Sequence, residues 1–264
     1  MKVEEILTGD GSRGKLWFVG GGPGDPELLT LRGMEVLKNA SLVFAPGHFK
    51  DSYAALLEGK EYYDPFDFHF KELTERINSV LAKGQDAVFL VPGDLAIFSP
   101  VQSIISRYPD AEVIPGVSTL NAASAALRRT FDISGISHST IATSPKTIEG
   151  SPDTIGALSR HQATMVLFMN NKRPDELTYE LLEGYNSDTP VAIVSRISLP
   201  GEGIINTTIE RLAKDVDPDW FADEDAFKII VVGKALTASE DPSAWDRRKD
   251  MRDERRRKKR NAHS

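Results

Sequence analysis

Apolar runs of strand length alternate with stretches of helical periodicity along most of the chain. In the first half, short apolar runs predict strands at residues 16–20, 41–45, 87–91 and 112–114. Between them, apolar positions recur three and four residues apart, as on one face of a helix, most clearly at Leu73, Ile77, Val80 and Leu81. The second half repeats this rhythm, with strands predicted at residues 164–169, 191–194, 204–205 and 227–232. Such alternation is typical of the α/β class, in which helices cover both faces of a largely parallel sheet.

The first predicted strand leads into a glycine-rich turn, and the rest of the first half is organised around it. Residues 16–33 read LWFVGGGPGDPELLTLRG. After the three glycines, Asp25 suits a helix N-cap and Pro26 suits the first helical turn. Two further strand ends also carry glycine turns, PGDLAIFS from residue 92 and PGVST from residue 115. Because the carboxyl ends of parallel strands meet at one edge of a sheet, we expect the three loops to converge on one ligand site.

A glycine turn between a strand and a helix has other uses, and the sequence tests one of them. A dinucleotide site requires an acidic residue at the end of the second strand. Here the second strand runs into Pro46-Gly47-His48 instead, which argues against an NAD site. A cofactor loop and a purely structural turn are the alternatives that these residues leave open.

Composition and length bound the domain organisation. The chain has 264 residues, 40% of them hydrophobic, and no cysteine, so disulfides, thiolate metal sites and a cysteine nucleophile are excluded. No metal site is predicted.

A polar, irregular stretch at residues 130–152 predicts a domain junction nearby, at about residues 118–135. We therefore expect a loose leader, two α/β domains and a flexible basic tail, at residues 1–14, 15–120, 121–237 and 238–264.

The formal net charge of −7 conceals a strong asymmetry. Residues 247–264 hold ten Lys and Arg against three acids, a net of +7, whereas residues 1–246 hold 22 against 36, a net of −14. An acidic body argues against nucleic acid as a general partner, although the tail by itself is typical of a solvated or polyanion-binding arm. The N-terminal residues lack the apolar core of a signal peptide, and no run is long enough to cross a bilayer. We expect a cytoplasmic protein with no membrane partner.

Six motifs, taken in order, resemble those of the S-adenosylmethionine-dependent tetrapyrrole methylases. They are GGGPGDPELLTLRG, PGDLAIF, IPGVSTLNAASAAL, RHQATMVLFM, TPVAIVSRISLPGEGII and FKIIVVGKAL. The resemblance covers about residues 15–236, and two of these segments are most similar to the members that methylate precorrin-4 or its cobalt form at carbon 11 in cobalamin biosynthesis. It implies two α/β domains with the cofactor cleft between them, S-adenosylmethionine as cofactor, a homodimer and a tetrapyrrole substrate.

The resemblance also implies which residues contact the cofactor. These are Pro23, Gly93, Asp94, Ile97, Ser118, Thr119, Met169 and Ile197. In physical terms, the carboxylate of Asp94 suits the cationic part of S-adenosylmethionine, the hydroxyls of Ser118 and Thr119 suit its polar ends, and Met169 suits an apolar wall. Taken alone, Asp94 is equally explained as a turn residue that caps the next segment, and Met169 as part of the core.

No catalytic residue is predicted, and the expectations for the substrate rest on charge. A macrocycle with several carboxylates requires cations on an otherwise acidic body. The candidates are Arg32, His48, Lys50 and Arg128. His48 also reads as an ordinary loop histidine, and Arg128 as the solvated end of a helix.

Three departures from the family pattern bear on the substrate. Leu95 stands where the family usually has proline, and Ser99 where it has glycine, so the shape of this loop is expected to differ. Residues 143–152 also lack the arginine-containing run expected of the precorrin-4 members. A methylase of uroporphyrinogen III, RNA or protein on the same fold, or a non-catalytic relative that binds the cofactor, are the alternatives.

Overall fold

A computed structural model describes residues 13–223 and 225–261, so most of the predicted leader lies outside the described residues. Contacts along the chain divide it into two compact units. The first comprises Met1–Ala123 and Arg196–Glu202, and the second comprises Ser124–Ser195 and Gly203–Ser264. The short segment Arg196–Glu202 thus belongs by its contacts to the first unit although its neighbours in sequence belong to the second.

The first unit is built on a parallel sheet of five strands. The strands are β1 (Leu16–Gly20), β2 (Leu42–Phe44), β3 (Glu61–Tyr63), β4 (Ala87–Val91) and β5 (Glu112–Ile114), in the spatial order β3-β2-β4-β1-β5. Every neighbouring pair is parallel. All five carboxyl ends therefore lie at one edge of the sheet, as the sequence predicts for the first half.

Helices and apolar side chains cover both faces of this sheet. The helices are α1 (Leu31–Asn39), α2 (Phe49–Ser52), α3 (Ala54–Leu57), α4 (Phe70–Ala82) and α5 (Gln102–Ile105). A further helix, α6 (Thr119–Leu127), begins in this unit, and its residues from Ser124 onwards belong to the second. Successive residues of one strand enter different core clusters, Phe18 with Ile77 of α4 on one face and Val19 with Leu37 of α1 on the other. A strand buried on both faces requires a continuous apolar run, which is the pattern of AVFLV in β4.

The first helix begins later than the sequence predicts. Asp25 does cap a turn, since its side chain accepts a hydrogen bond from the Glu27 N–H, but that turn is a 3-10 turn that ends at Leu28. Leu29 returns to an extended conformation, and α1 starts only after Thr30, whose hydroxyl accepts from the Gly33 N–H at 3.1 Å. The prediction missed Thr30 because Asp-Pro-Glu is itself a strong N-terminal signal.

The second unit contains a mixed sheet of five strands. These are β6 (Thr140–Thr143), β7 (Thr164–Leu167), β8 (Pro190–Ser195), β9 (Gly203–Thr208) and β10 (Lys228–Val232), in the order β6-β7-β10-β8-β9. Only β6 and β7 run parallel. Strand β6 falls in the stretch expected to be irregular, because an edge strand with exposed threonine lacks the apolar signal of a buried one.

Helices α7 (Ile155–Ser159), α8 (Pro174–Leu181), α9 (Leu212–Asp215) and α10 (Pro218–Ala222) complete the body of this unit. Their apolar side chains, including Leu177 and Phe221, pack with Met165, Ile193 and Ile230 of the sheet. The α/β class is confirmed for the chain as a whole, although the second sheet is mixed.

The basic C-terminal segment forms a long helix, α11 (Ser243–Asn261). Its first turn is attached to the second unit through Ala244, which is buried, and most of the following side chains are exposed. The expected flexibility of the tail stays a prediction. None of the described helices has the length and apolar character that a membrane span requires.

The cap at Thr30 gives a direct test of where α1 begins. Replacing Thr30 by alanine leaves the Gly33 N–H without its acceptor, so we expect the free energy of unfolding to fall by about 1 kcal/mol. Urea unfolding followed by circular dichroism measures this change. Thr30→Ser keeps the hydroxyl and should stay close to the wild-type value, and equal losses in both variants would show that the cap contributes nothing.

Candidate functional site

The three glycine loops of the first unit meet at the carboxyl edge of its sheet. The Gly22 N–H donates to the Gly93 carbonyl at 3.0 Å, and the Gly93 N–H donates to the Gly22 carbonyl at 2.8 Å. A Cβ placed on Gly93 would lie 3.5 Å from the Thr119 hydroxyl, so the third loop adjoins the second. The predicted convergence of the three loops is confirmed within this unit.

Two glycines are required there because the loops pack backbone against backbone. A Cβ on Gly20 would lie 2.4 Å from the Gly116 nitrogen, and a Cβ on Gly116 would lie 2.3 Å from the Gly93 carbonyl oxygen. Neither residue has a positive φ. The requirement is therefore steric, and at these two positions the glycine serves the packing of the loops.

Two aromatic residues that the sequence analysis did not select support the first loop. The Tyr53 hydroxyl donates to the Gly21 carbonyl, and a Cβ on Gly21 would lie 2.9 Å from the Phe49 ring. Both side chains are fully buried. Burial, together with the nearby charge of Asp25, raises the pKa of Tyr53, which keeps its proton available for this bond. The four-residue spacing of Phe49 and Tyr53, which places both side chains on one face of a helix, was the sequence signal that could have identified them.

The segment Arg196–Glu202 packs against the same loop. The Asp25 N–H donates to the Ser198 hydroxyl at 3.1 Å, and a Cβ on Gly24 would lie 2.7 Å from the Leu199 side chain. Ile197, a predicted cofactor contact, is buried between Arg196 and Ser198, which have φ values of 50° and 63°. Non-glycine residues rarely adopt this left-handed conformation, so the segment is held in shape by its surroundings.

The second loop holds its predicted contacts on a fixed turn. Asp94 is half-buried, and its Oδ1 accepts from the Ala96 N–H at 3.1 Å, which is the capping role that the residue type alone explained. Among the described residues, the Oδ2 of Asp94 receives no hydrogen bond. Ile97 is half-buried on the same turn. One oxygen of Asp94 thus shapes the loop and the other is available to a ligand.

Ser99, which stands where the family usually has glycine, does not need the conformational freedom of glycine. In this loop the left-handed φ values belong to Gly93, at 67°, and Phe98, at 56°, whereas Ser99 has no positive φ. Serine at position 99 therefore imposes no backbone strain. Its hydroxyl is buried and has no hydrogen-bond partner within residues 13–223 and 225–261.

The third loop places Ser118 and Thr119 at the start of α6. Ser118 is buried, and its hydroxyl accepts from the Leu120 N–H at 3.3 Å. Its carbonyl accepts from the Ala122 N–H at 3.1 Å, so Ser118 is the N-cap of α6. Thr119 is half-buried and lies beside Gly93.

Met169 belongs to the second unit, just beyond the last residue of β7. It is half-buried and has a φ of 45°. Beyond the carboxyl ends of the parallel pair β6 and β7, the same unit contains a cavity of about 340 Å³. One side of this cavity is formed by the ion pair of Lys172 with Glu180 at 2.6 Å. None of the predicted site residues lines this cavity.

The predicted substrate cations lie on different elements of the fold. Arg32 forms an ion pair with Glu112 and lies over the Trp17 ring. Those partners are the first residue of β5 and the second of β1, whereas the loops follow the opposite ends of these strands. Lys15 and Arg32 together lower the pKa of Glu112, the hydrogen bond from Lys15 being the larger cause. Arg32 is thus engaged in an exposed ion pair near the other ends of these strands, and its role as a substrate contact stays a prediction.

The other three cations lie on separate elements. His48 is half-buried directly before α2, with its ring 4.6 Å from the Phe49 ring. Lys50 is exposed on α2. Arg128 is exposed immediately after α6 in the second unit, with a φ of 53°, so it does stand at a solvated helix end.

Comparison with known proteins places these observations in one family. The sequence pattern of the Tetrapyrrole (Corrin/Porphyrin) Methylases matches residues 15–213. The chain belongs to the tetrapyrrole methylases. The cobalt-precorrin-4 C(11)-methyltransferase of Methanocaldococcus jannaschii is 31% identical over 84% of this chain and 88% of that protein. The precorrin-4 C(11)-methyltransferase of Rhodococcus erythropolis is 30% identical over 87% of this chain and 95% of that protein.

Solved structures of tetrapyrrole methylases share the fold. A crystal structure of a cobalt-precorrin-4 methyltransferase of cobalamin biosynthesis is 26% identical with a TM-score of 0.78, over 88% of this chain and all of that one. The uroporphyrin-III C-methyltransferase of Thermus thermophilus, complexed with S-adenosylhomocysteine, is 26% identical with a TM-score of 0.65, over 84% of this chain and 99% of that one. The predicted family and the methyltransferase class are therefore confirmed.

Tetrapyrrole methylases use S-adenosylmethionine, and the loops of the first unit fit such a ligand. The available carboxylate oxygen of Asp94 suits an ammonium or sulfonium. A buried hydroxyl without a partner, such as that of Ser99, is costly unless a ligand or water satisfies it. The backbone around Gly22 and Gly93 leaves a surface free of side chains. No phosphate-binding cluster is needed, since the cofactor carries no phosphate.

The close approach of the loops can be tested at Gly20. In Gly20→Ala the added methyl would lie within 3 Å of three backbone atoms, so we expect the free energy of unfolding to fall by about 2 kcal/mol. The control is Gly47→Ala, because the nearest atom to its added methyl would be 3.7 Å away, and it should change stability by less than about 0.5 kcal/mol. Similar losses in both variants would contradict the steric requirement.

Burial of His48 predicts a pH dependence of stability. Burial lowers the pKa of His48 and the charge of Asp64 only partly opposes this. The unfolded chain therefore binds this proton more readily than the folded one, so stability should fall as the pH decreases through about 6.5 and below.

Thermal unfolding from pH 7.5 to pH 5 measures this effect. His48→Gln should lose less stability over that interval than the wild type. His161→Gln changes an exposed histidine of the second unit and should keep the wild-type profile. An unchanged profile in His48→Gln would show that His48 does not contribute.

Proposed function

We propose that this protein transfers a methyl group from S-adenosylmethionine to a ring carbon of a precorrin-4-like tetrapyrrole in cobalamin biosynthesis. The observation that carries the proposal is the convergence of three glycine loops on one edge of the sheet, in a member of the tetrapyrrole methylases. The two relatives named above, both at least 30% identical, methylate carbon 11 according to their names. That position is the proposed site of methylation.

The first unit supplies most of the proposed cofactor contacts. They are Pro23, Gly93, Asp94, Ile97, Ser118, Thr119 and Ile197. Asp94 would hold the cationic part through Oδ2, while Thr119 and backbone groups beside Gly93 would take polar ends. Ile97 and the buried Ile197 would provide apolar contacts. The second unit's own proposed contact is Met169, whose left-handed backbone fixes the direction of its side chain.

The bound cofactor supplies a methyl group that is already activated by a positive sulfur. The chain therefore has to orient the ring carbon towards this methyl group and exclude water. Rigid loops serve the first task, because the backbone contacts between Gly20, Gly93 and Gly116 allow little movement. Arg32, His48, Lys50 and Arg128 are the proposed contacts of the substrate carboxylates.

Three further expectations remain proposals. The resemblance supports a homodimer, a cytoplasmic location and a division into domains at residues 15–120 and 121–237. The first can be measured by light scattering of the purified protein.

Binding of S-adenosylhomocysteine tests the cofactor site. Asp94→Asn keeps the Oδ1 acceptor of the turn but removes the charge, so we expect roughly tenfold weaker binding, equivalent to about 1.4 kcal/mol. Thr119→Val removes a hydroxyl at the same shape and should weaken binding by about fivefold. Isothermal titration calorimetry measures both. Asp110→Asn, on an exposed turn, is the matched control and should bind as the wild type does.

The reaction itself is tested by mass spectrometry. Incubation with S-adenosylmethionine and precorrin-4 or cobalt-precorrin-4 should add the mass of one methylene group to the macrocycle. Cofactor binding without any such product would support a methylase of another substrate or a non-catalytic relative that binds the cofactor, and no binding at all would overturn the proposal.

A further inference from the structure

The long C-terminal helix α11 carries a charge pattern that the proposed reaction site does not use. At about 100° per residue, the side chains of Trp245, Lys249, Arg252 and Arg256 fall within an arc of about 60°. Arg248 and Arg255 flank this stripe on one side. We call these six residues the basic face. It contains no acidic residue.

The acidic residues of the same helix lie on a different face. They are Asp246, Asp250, Asp253 and Glu254. By the same helical geometry they occupy an arc of about 100° whose centre is about 150° from that of the basic face. Arg247, Arg257 and Lys258 fall within or beside that acidic arc, so the basic face is the side of α11 that carries cations without acids.

Most cations of the basic face have no partner of their own. Arg248 pairs with Glu240, outside the helix. In the part of the chain that the structure describes, Lys249, Arg252, Arg255 and Arg256 form no ion pair. Trp245 lies in line with them and is 74% exposed. The face thus presents an aromatic plane followed by unpaired positive charges over about 10 Å from Lys249 to Arg256.

The stability of the helix does not explain this arrangement. The helix dipole favours acids near the N-terminus and cations near the C-terminus, but it does not select one side. Pairs of opposite charge four residues apart, as in Glu254 with Lys258, stabilise a helix best when the two signs are interleaved. On the basic face, Arg248, Arg252 and Arg255 have no acidic residue three or four positions away, so within the helix they lie beside like charges.

We infer that the basic face is a docking surface for the polycarboxylate tetrapyrrole, separate from the site of methyl transfer. The inference rests on the proposed function, since that reaction requires a flat macrocycle with several carboxylates. Trp245 would stack on the ring, and Lys249, Arg252 and Arg256 would pair with its carboxylates.

The charge of the remaining chain explains why such a surface is needed. Residues 1–246 carry a net charge of −14, which repels an anionic substrate. Of the proposed substrate contacts, Arg32 is paired with Glu112, and burial lowers the pKa of His48, which favours its neutral form. A positive surface on α11 raises the local concentration of the substrate and so affects its capture, not the chemical step.

A nucleic acid would also be attracted to these cations, but the observations favour the smaller anion. A long polyanion would extend from the basic face over the acidic body and be repelled there, whereas a macrocycle is spanned by the stripe of about 10 Å. The test therefore includes an oligonucleotide as a competing ligand.

The probe is uroporphyrin, a stable tetrapyrrole with a carboxylate-bearing side chain at every outer pyrrole position. Its binding to the full chain is followed by quenching of tryptophan fluorescence at low and at high salt. The test variant changes Lys249, Arg252 and Arg256 to glutamine. The control changes Arg247, Arg257 and Lys258 to glutamine, which removes the same charge from outside the basic face.

We expect the test variant to bind uroporphyrin about tenfold more weakly than the wild type at low salt, and the control to stay within about twofold. The difference should shrink at high salt. In the methylation assay the test variant should show a higher KM with an unchanged kcat. Equal binding by the two variants, or tighter binding of a single-stranded oligonucleotide than of uroporphyrin at the same salt, would overturn the inference.

Binding of S-adenosylhomocysteine separates this inference from the proposed function. The test variant should bind it as the wild type does, because α11 takes no part in the cofactor site. If the wild type does not bind S-adenosylhomocysteine, the proposed function fails, whereas the comparison of the two variants with uroporphyrin still decides the role of the helix.

Discussion

The first unit depends on the contact of backbone with backbone at the carboxyl edge of its parallel sheet. Gly20, Gly93 and Gly116 approach so closely that no side chain fits between them. The parallel arrangement brings the strand ends to one edge, and the absence of side chains lets the loops that follow them touch. Tyr53 fixes the first loop from within the core by binding the carbonyl of Gly21. The site is thus rigid because the core and the loops share contacts.

Backbone strain is concentrated at the residues proposed to hold the cofactor. Seven non-glycine residues have a positive φ in the described chain. Four of these are proposed cofactor contacts or lie next to one: Phe98, Met169, Arg196 and Ser198. Strain of this kind costs about 1–3 kcal/mol per residue and persists only where the surroundings enforce it. Its position supports a ligand site independently of the family resemblance.

The charges of the chain have to accommodate two ligands of opposite charge, a cationic cofactor and an anionic macrocycle. The proposed cofactor site of the first unit includes the carboxylate of Asp94, with one oxygen holding the turn and the other available to a cationic group. The anionic macrocycle needs the opposite charge, and on the basic face of α11 four exposed cations have no ion-pair partner in the described chain. An acidic body with a basic helix can therefore serve a positive cofactor and a negative substrate.

The sequence by itself determined the α/β class, the family, most strands and the three loops that meet. These features depend on local patterns: continuous apolar runs mark strands buried on both faces, and glycine turns mark where the strands end. The tertiary structure decided the features that depend on residues distant in sequence, which local patterns do not encode. Strand β6 is polar because it lies at an edge, Thr30 caps α1 because Asp25 is used by a separate turn, and Arg32 is held by Glu112, a residue 80 positions away. The sequence shows that a side chain is charged, but only the fold shows which opposite charge that side chain is already paired with.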